Sequence, residues 1–210
     1  MPLIHHSDEL PDWCEMRFYE ILKLSPGQSY NCERVGKKEK IIVDSGICQI
    51  TWGEQTAQAE RGTNLDLIEP DIHFTIDEVI ESTTLLRVAG HWGDITGGSG
   101  VWTIENSDNP QDKGDPFNYP KTTNFDNHYH DYDEFWIFFE GRGLAISEGI
   151  TYEVSAGDCI ATGMGHHHDL PQVFEPIRAA FFETTVEGQG RLGHLWNHTH
   201  GIAQPYPDRI

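Results

Sequence analysis

Along most of the chain apolar and polar residues alternate in twos, and short apolar runs end at glycine. Alternation of period two puts one face of an extended strand in a core, whereas a helix needs a period near 3.6. The pattern predicts strands over residues 18–24, 40–52, 65–68, 84–89, 101–104, 135–139, 143–154, 158–161 and 177–184. No long amphipathic helix is predicted, only short helical turns near residues 8–15 and 77–80. The polar, Pro- and Gly-bearing stretch 105–124 reads as a loop, and HWGDITGGSG (residues 91–100) as a linker. The chain is predicted to be all-β.

A repeat organises these strands. Adding 95 to Glu33, Val35, Glu39, Gly46, Gly62 and His73 gives His128, His130, Glu134, Gly141, Gly157 and His168. The intervals within the two sets are identical, although only the glutamate, the two glycines and the last histidine keep their identity. Ungapped spacing of this kind marks duplicated structural units. Two β-barrels are therefore expected, residues 1–97 and residues 98–210 with a C-terminal tail.

The second copy carries the chemistry. Residues i and i+2 of a strand share a face, so His128 and His130 point into one barrel. Glu134 re-enters after a short turn, with Trp136 and Phe138 at its parity as an apolar wall. His168 arrives from a distant strand. Three imidazoles and a carboxylate make a borderline nitrogen and oxygen donor set, suited to one divalent transition metal: Fe, Mn, Zn, Ni or Co. His166 shares parity with His168 and is a candidate acid/base residue, its alternative being an exposed turn histidine; His167 points the other way.

These residues resemble a known family. H-x-H-x3-E-x6-G from His128 to Gly141, followed by Gly157, Gly165 and His168, is similar to the paired motifs of the cupins, and the duplication to a bicupin. Thr122, Gly163 and Gln172 replace the motif's leading glycine, proline and asparagine, which are turn positions. The resemblance implies two tandem jelly-roll-like cupin barrels with metal ligands His128, His130, Glu134 and His168. In the first copy Glu33, Val35, Glu39 and His73 stand at those positions, which implies a degenerate, metal-free barrel. His194, His198 and His200 of the tail are expected to be solvated.

Composition narrows the function. A net charge of -20, from 34 acidic against 14 basic residues, repels nucleic acid and anionic lipid. A small-molecule partner is expected, with homodimerisation left open. The four scattered cysteines form no C-x-x-C pair and read as free thiols. The N-terminal MPLIHHSDEL lacks a signal-peptide pattern, so a cytoplasmic protein is expected. EFWIFFEG (residues 134–141) is similar to the E-x-W strand of phosphomannose-isomerase-type cupins, which implies metal-dependent isomerisation or epimerisation of a sugar. Asp131, Tyr132 and Asp133 make an acidic gap suited to neutral hydroxyls rather than phosphate. In this reading Glu134 and His166 are catalytic, and Trp136, Phe138 and Tyr129 bind substrate. An Fe(II)-dependent dioxygenase acting on an aromatic or enolic compound is the alternative, and a non-enzymatic ligand-binding bicupin the third reading.

Overall fold

A computed structural model describes residues 3–6, 8–67 and 73–210. In chain order its strands are β1 (Leu3–Ile4), β2 (Met16–Leu24), β3 (Tyr30–Cys32), β4 (Lys38–Trp52), β5 (Gln55–Glu60), β6 (Asn64–Leu67), β7 (Phe74–Gly90), β8 (Thr96–Ile104), β9 (Glu134–Ser147), β10 (Ile150–Ser155), β11 (Cys159–Thr162) and β12 (His168–Thr185). One short helix, α1 (Asn197–His200), follows. The chain is all-β and divides into two compact units.

The repeat is structural. Adding 95 to the bounds of β5 and β6 reproduces those of β10 and β11. The hairpin registers agree as well: Ile47 faces Glu60 in β4–β5, and Arg142 faces Ser155 in β9–β10. Gly46 and Gly141 explain why glycine persists in both copies. Each has a positive φ, +80° and +84°, at a place where the ladder shifts register. A Cβ there would stand 2.2 Å from the Ser82 carbonyl oxygen and 2.0 Å from that of Pro176. Only glycine bends these long strands at the bulge.

One unit comprises Glu15–Trp92 and Ser99–Val101. Its sheet runs β2-β7-β4-β5, with β3 on β7 and β6 on β4. The core behind it gathers Ile41, Val43, Ile50, Phe74, Ile76 and Leu85. The other unit comprises Met1–Cys14, Gly93–Gly98 and Trp102–Ile210. Its sheet runs β1-β11-β9-β12-β8, with β10 on β9, over a core of Trp136, Phe138, Val154, Ile160, Leu170 and Ile177.

Several expectations change here. The division is not a single cut after residue 97, because β1 joins β11 through Leu3–Ile160 and Ile4–Cys159 pairs. Trp13 also stacks on Phe135 at 6.4 Å. Residues 77–80 lie inside β7 and residues 8–15 form turns, so neither stretch is helical. Residues 143–154 are not one strand: a turn at Glu148–Gly149, both at positive φ, folds β10 back on β9, as a two-residue hairpin requires. Residues 96–100, read as linker, belong to β8; their glycines serve close packing instead of flexibility. The expected strand 65–68 corresponds to β6, and its last position, Ile68, lies outside the described residues. All four cysteines are free and buried.

Candidate metal centre

An antiparallel bridge seats the histidines side by side. The His168 N–H donates to the His128 carbonyl at 2.9 Å, and the His128 N–H to that of His168 at 3.2 Å. Glu134 opens β9, flanked in register by Thr162 on β11 and Glu183 on β12. Neighbours in register share a face, so the three side chains form one row.

The four expected ligands converge. Their donor atoms lie within 4.8 Å of one another, and all four residues are buried. His128 Nε2 lies 3.1 Å from His130 Nε2. Glu134 Oε2 lies 3.3 Å from His130 Nε2 and 2.8 Å from His168 Nε2. Each Nδ1 meets a backbone carbonyl: Asp126 at 2.6 Å from His128, Gly193 at 2.9 Å from His130 and His166 at 3.0 Å from His168. A carbonyl only accepts, so these bonds place the proton on Nδ1 and turn each Nε2 lone pair inward. Three inward lone pairs and a carboxylate repel one another unless a cation lies among them. Glu134 Oε2 and His168 Nε2 accordingly lack hydrogen-bond geometry despite their approach. The donor set fits a divalent cation.

Aromatic neighbours fix each ring. His194 stacks on His128 at 3.7 Å, Tyr132 on His130 at 4.6 Å, and Trp136 meets His168 edge-on at 5.2 Å. Burial, then the neighbouring imidazoles, hold His128 well below its ordinary value of 6.5. Burial also lowers His130, against the pull of Glu134. Glu134 itself is held well below the usual carboxylate range: burial opposes this, but His130 and His168 beside it prevail.

Glu183 escaped the sequence reading. It is buried beside Tyr132. Burial, then the charge of Glu134, pushes it up to about 8. Gly97 and Gly98 make room for it, since a Cβ at either would come within 2.7 and 3.0 Å of its Oε2. The available signal was a lone acid within the apolar run AAFFETT.

Sequence-predicted positions divide as follows. Trp136 and Phe138 stand in the wall, packed with Trp102 and Phe125. Tyr129 does not face the group: alternation turns it outward, and its hydroxyl donates to the Gly201 carbonyl at 2.7 Å. His166 is buried, not exposed, yet its Nε2 donates to the Tyr206 carbonyl at 2.8 Å. That bond turns the ring toward the C-terminal chain and leaves only its backbone carbonyl to support His168. The acidic mouth is not formed either, because Asp131 faces outward with Tyr129 and Asp133 is neutralised by Arg209 at 2.9 Å. The tail histidines His194 and His198 are exposed, as expected, yet held by carboxylates. His194 and Trp196 bind the Asp126 carboxylate, and His198 binds Asp115 at 2.9 Å.

In the other unit the carboxylate equivalent to Glu134 has a different partner. Glu39 is fully buried, and its Oε2 accepts from Arg87 Nε at 2.9 Å. Arg87 also bonds Glu20 and the Glu33 carbonyl. Glu33, Val35 and His73 are exposed, so no such convergence forms among the described residues of this unit.

Stability should report these charges. In the unfolded chain His128 and His130 take protons near pH 6.5; folded, they resist until lower pH, so stability is lost as pH falls below 6.5. Glu183 and His194 are raised in the fold, so their contributions are lost as pH rises, for Glu183 from 4.5 up to about 8. Two imidazoles outweigh one carboxyl below pH 6.5, and only the raised groups act above it. Metal-free protein should therefore be most stable near pH 6.5, with thermal midpoints falling on both sides; a midpoint flat from pH 5 to 8 would contradict this.

No family model matches the chain. The uncharacterized protein y4oW of Sinorhizobium fredii is 40% identical over 210 residues, spanning 100% of this chain and 97% of that one. The chain belongs to the family of y4oW. Solved structures are similar to this chain in fold. Oxalate decarboxylase of Bacillus subtilis, a protein with Mn(II) centres, aligns with a TM-score of 0.58 at 13% identity, covering 89% of this chain and 73% of that one. YhaK of Escherichia coli gives 0.55 at 13% identity over 81% and 86%. Hazelnut vicilin from Corylus avellana gives 0.55 at 9% over 82% and 75%. The chain has the cupin fold. No helix among the described residues is long and apolar enough to cross a membrane.

Proposed function

We propose that His128, His130, Glu134 and His168 hold one divalent transition metal, and that the C-terminal unit isomerises or epimerises a small neutral hydroxy-carbonyl compound such as a free sugar. The observation that carries this reading is the row Thr162–Glu134–Glu183, which sets a second buried carboxyl beside the ligand group. When bound, the metal supplies Lewis-acid polarisation of a carbonyl oxygen. Glu183 moves the proton at the adjacent carbon or hydroxyl. Trp136 Nε1 and Thr162 Oγ1, both buried without partners, offer donors to substrate oxygens. Trp102, Phe125, Trp136 and Phe138 exclude water from the reacting face.

The Glu183→Gln variant keeps shape and loses the proton carrier. It should retain one metal per chain and lose roughly a hundredfold or more in turnover. The assay is anaerobic exchange of substrate C–H for solvent deuterium by zinc- and manganese-loaded protein, across free pentoses and hexoses. Exchange unchanged in the variant would remove Glu183 from the reaction.

The dioxygenase reading has its own support in the aromatic wall. Phe125 lies 5.6 Å from His128 and 5.1 Å from Trp136, a setting suited to a flat aromatic substrate. Oxygen uptake with a diphenol, and no deuterium exchange with any sugar, would select it.

A further inference from the structure

The extended segment that carries His128 and His130 has a second face. Alternation sends Tyr129 and Asp131 to it, and both line a cavity of about 570 Å³ within the C-terminal unit. None of the four metal-ligand candidates lines that cavity. Its volume lies in the range of small-molecule sites.

Its lining has a distinct chemistry. Tyr129, Tyr206, Met164 and Ile202 supply apolar and aromatic surface, and Gln189 and Gln204 supply amides. Among the lining residues no side chain is basic, and Asp131 is the one carboxylate. Asp131 is only 7% exposed. Its Oδ2 accepts a single bond, from the Arg191 N–H at 3.1 Å. Its Oδ1 faces Gly188, where an added Cβ would stand 3.1 Å away, and accepts no hydrogen bond among the described residues. A carboxylate has about four acceptor positions, so this one is buried with most of its capacity unused. Arg209 does not satisfy it: that guanidinium lies over Tyr206 at 4.7 Å and pairs with Asp133 and Glu187.

We propose that this cavity binds a small organic cation, a primary ammonium on an aromatic or short alkyl body. The ammonium brings three donors to Asp131, and the ring of Tyr129 favours a cation further. The body lies against Met164 and Ile202. A net charge of -20 draws cations towards the protein and keeps anions away.

The test is calorimetric titration of the metal-loaded full chain with benzylamine, benzyl alcohol and benzoate, with amide chemical shifts locating the site. Benzylamine should bind roughly tenfold or more tighter than the alcohol, benzoate should not bind, and shifts should centre on Asp131, Gly188 and Gln204. Asp131→Asn should bring benzylamine down to the level of the alcohol while metal content stays at one per chain. Ile202→Trp, at an exposed position, fills the cavity and should exclude the amine with Asp131 intact. Benzylamine binding no tighter than benzyl alcohol, binding unaffected by both substitutions, or shifts centred on His128 and His168 would overturn the proposal.

Discussion

His168→Ala protein is expected to leave metal loading with almost no bound divalent ion, where the wild type holds one per chain. The three imidazoles are not interchangeable donors. Each is locked by its own carbonyl and its own aromatic neighbour. Loss of an outer partner alone costs metal sites roughly ten- to a hundredfold in affinity, and loss of a direct donor costs more. His128→Ala should behave alike. Glu33→Ala, altering an exposed residue at the equivalent position of the first copy, should keep its metal. Elemental analysis after gel filtration reads all four proteins, and equal content throughout would dissolve the assignment.

Arg87→Ala is expected to destabilise the N-terminal unit by about 3–5 kcal/mol, the usual cost of stranding one partner of a buried ion pair. Glu39 would then keep only the Val35 and Gly36 N–H groups, at 2.6 and 3.3 Å, and the more distant Arg34 at 3.5 Å. The guanidinium also lies over Phe74 at 5.1 Å and Phe18 at 5.6 Å, so packing is lost with the charge. Replacing both partners with apolar residues of similar size, Glu39→Leu with Arg87→Met, should recover most of the loss. Urea denaturation followed by tryptophan fluorescence measures both effects. A shift below about 1 kcal/mol for the single variant would mean that Glu39 does not depend on Arg87.

The contrast between the two units shows what a sequence can disclose. Spacing carried the repeat, because β10 and β11 must follow the bent strand at fixed intervals whatever side chains they bear. It carried His128, His130, Glu134 and His168 for the same reason: parity and glycine-set turns determine where they point. Arg87 was not legible, since its pairing with Glu39 crosses from one strand to another 48 residues away. Glu183 was hidden likewise, its meaning resting on the register of β12 against β9. Tyr129 lies between His128 and His130, so alternation already turns it away from them, whereas the ring of His166 is turned by the C-terminal chain, whose docking leaves no periodic trace. The glycines of β8 read as linker because glycine marks both flexibility and close approach, and only the packed neighbour distinguishes them.

One ion is expected among those four side chains. Anomalous diffraction from crystals of the manganese-loaded protein, recorded on both sides of the manganese edge, tests it most directly. A single strong peak per chain is expected, bonded to the Nε2 atoms of His128, His130 and His168 and to the Glu134 carboxylate. A peak elsewhere, or none among these residues in fully loaded protein, would contradict it.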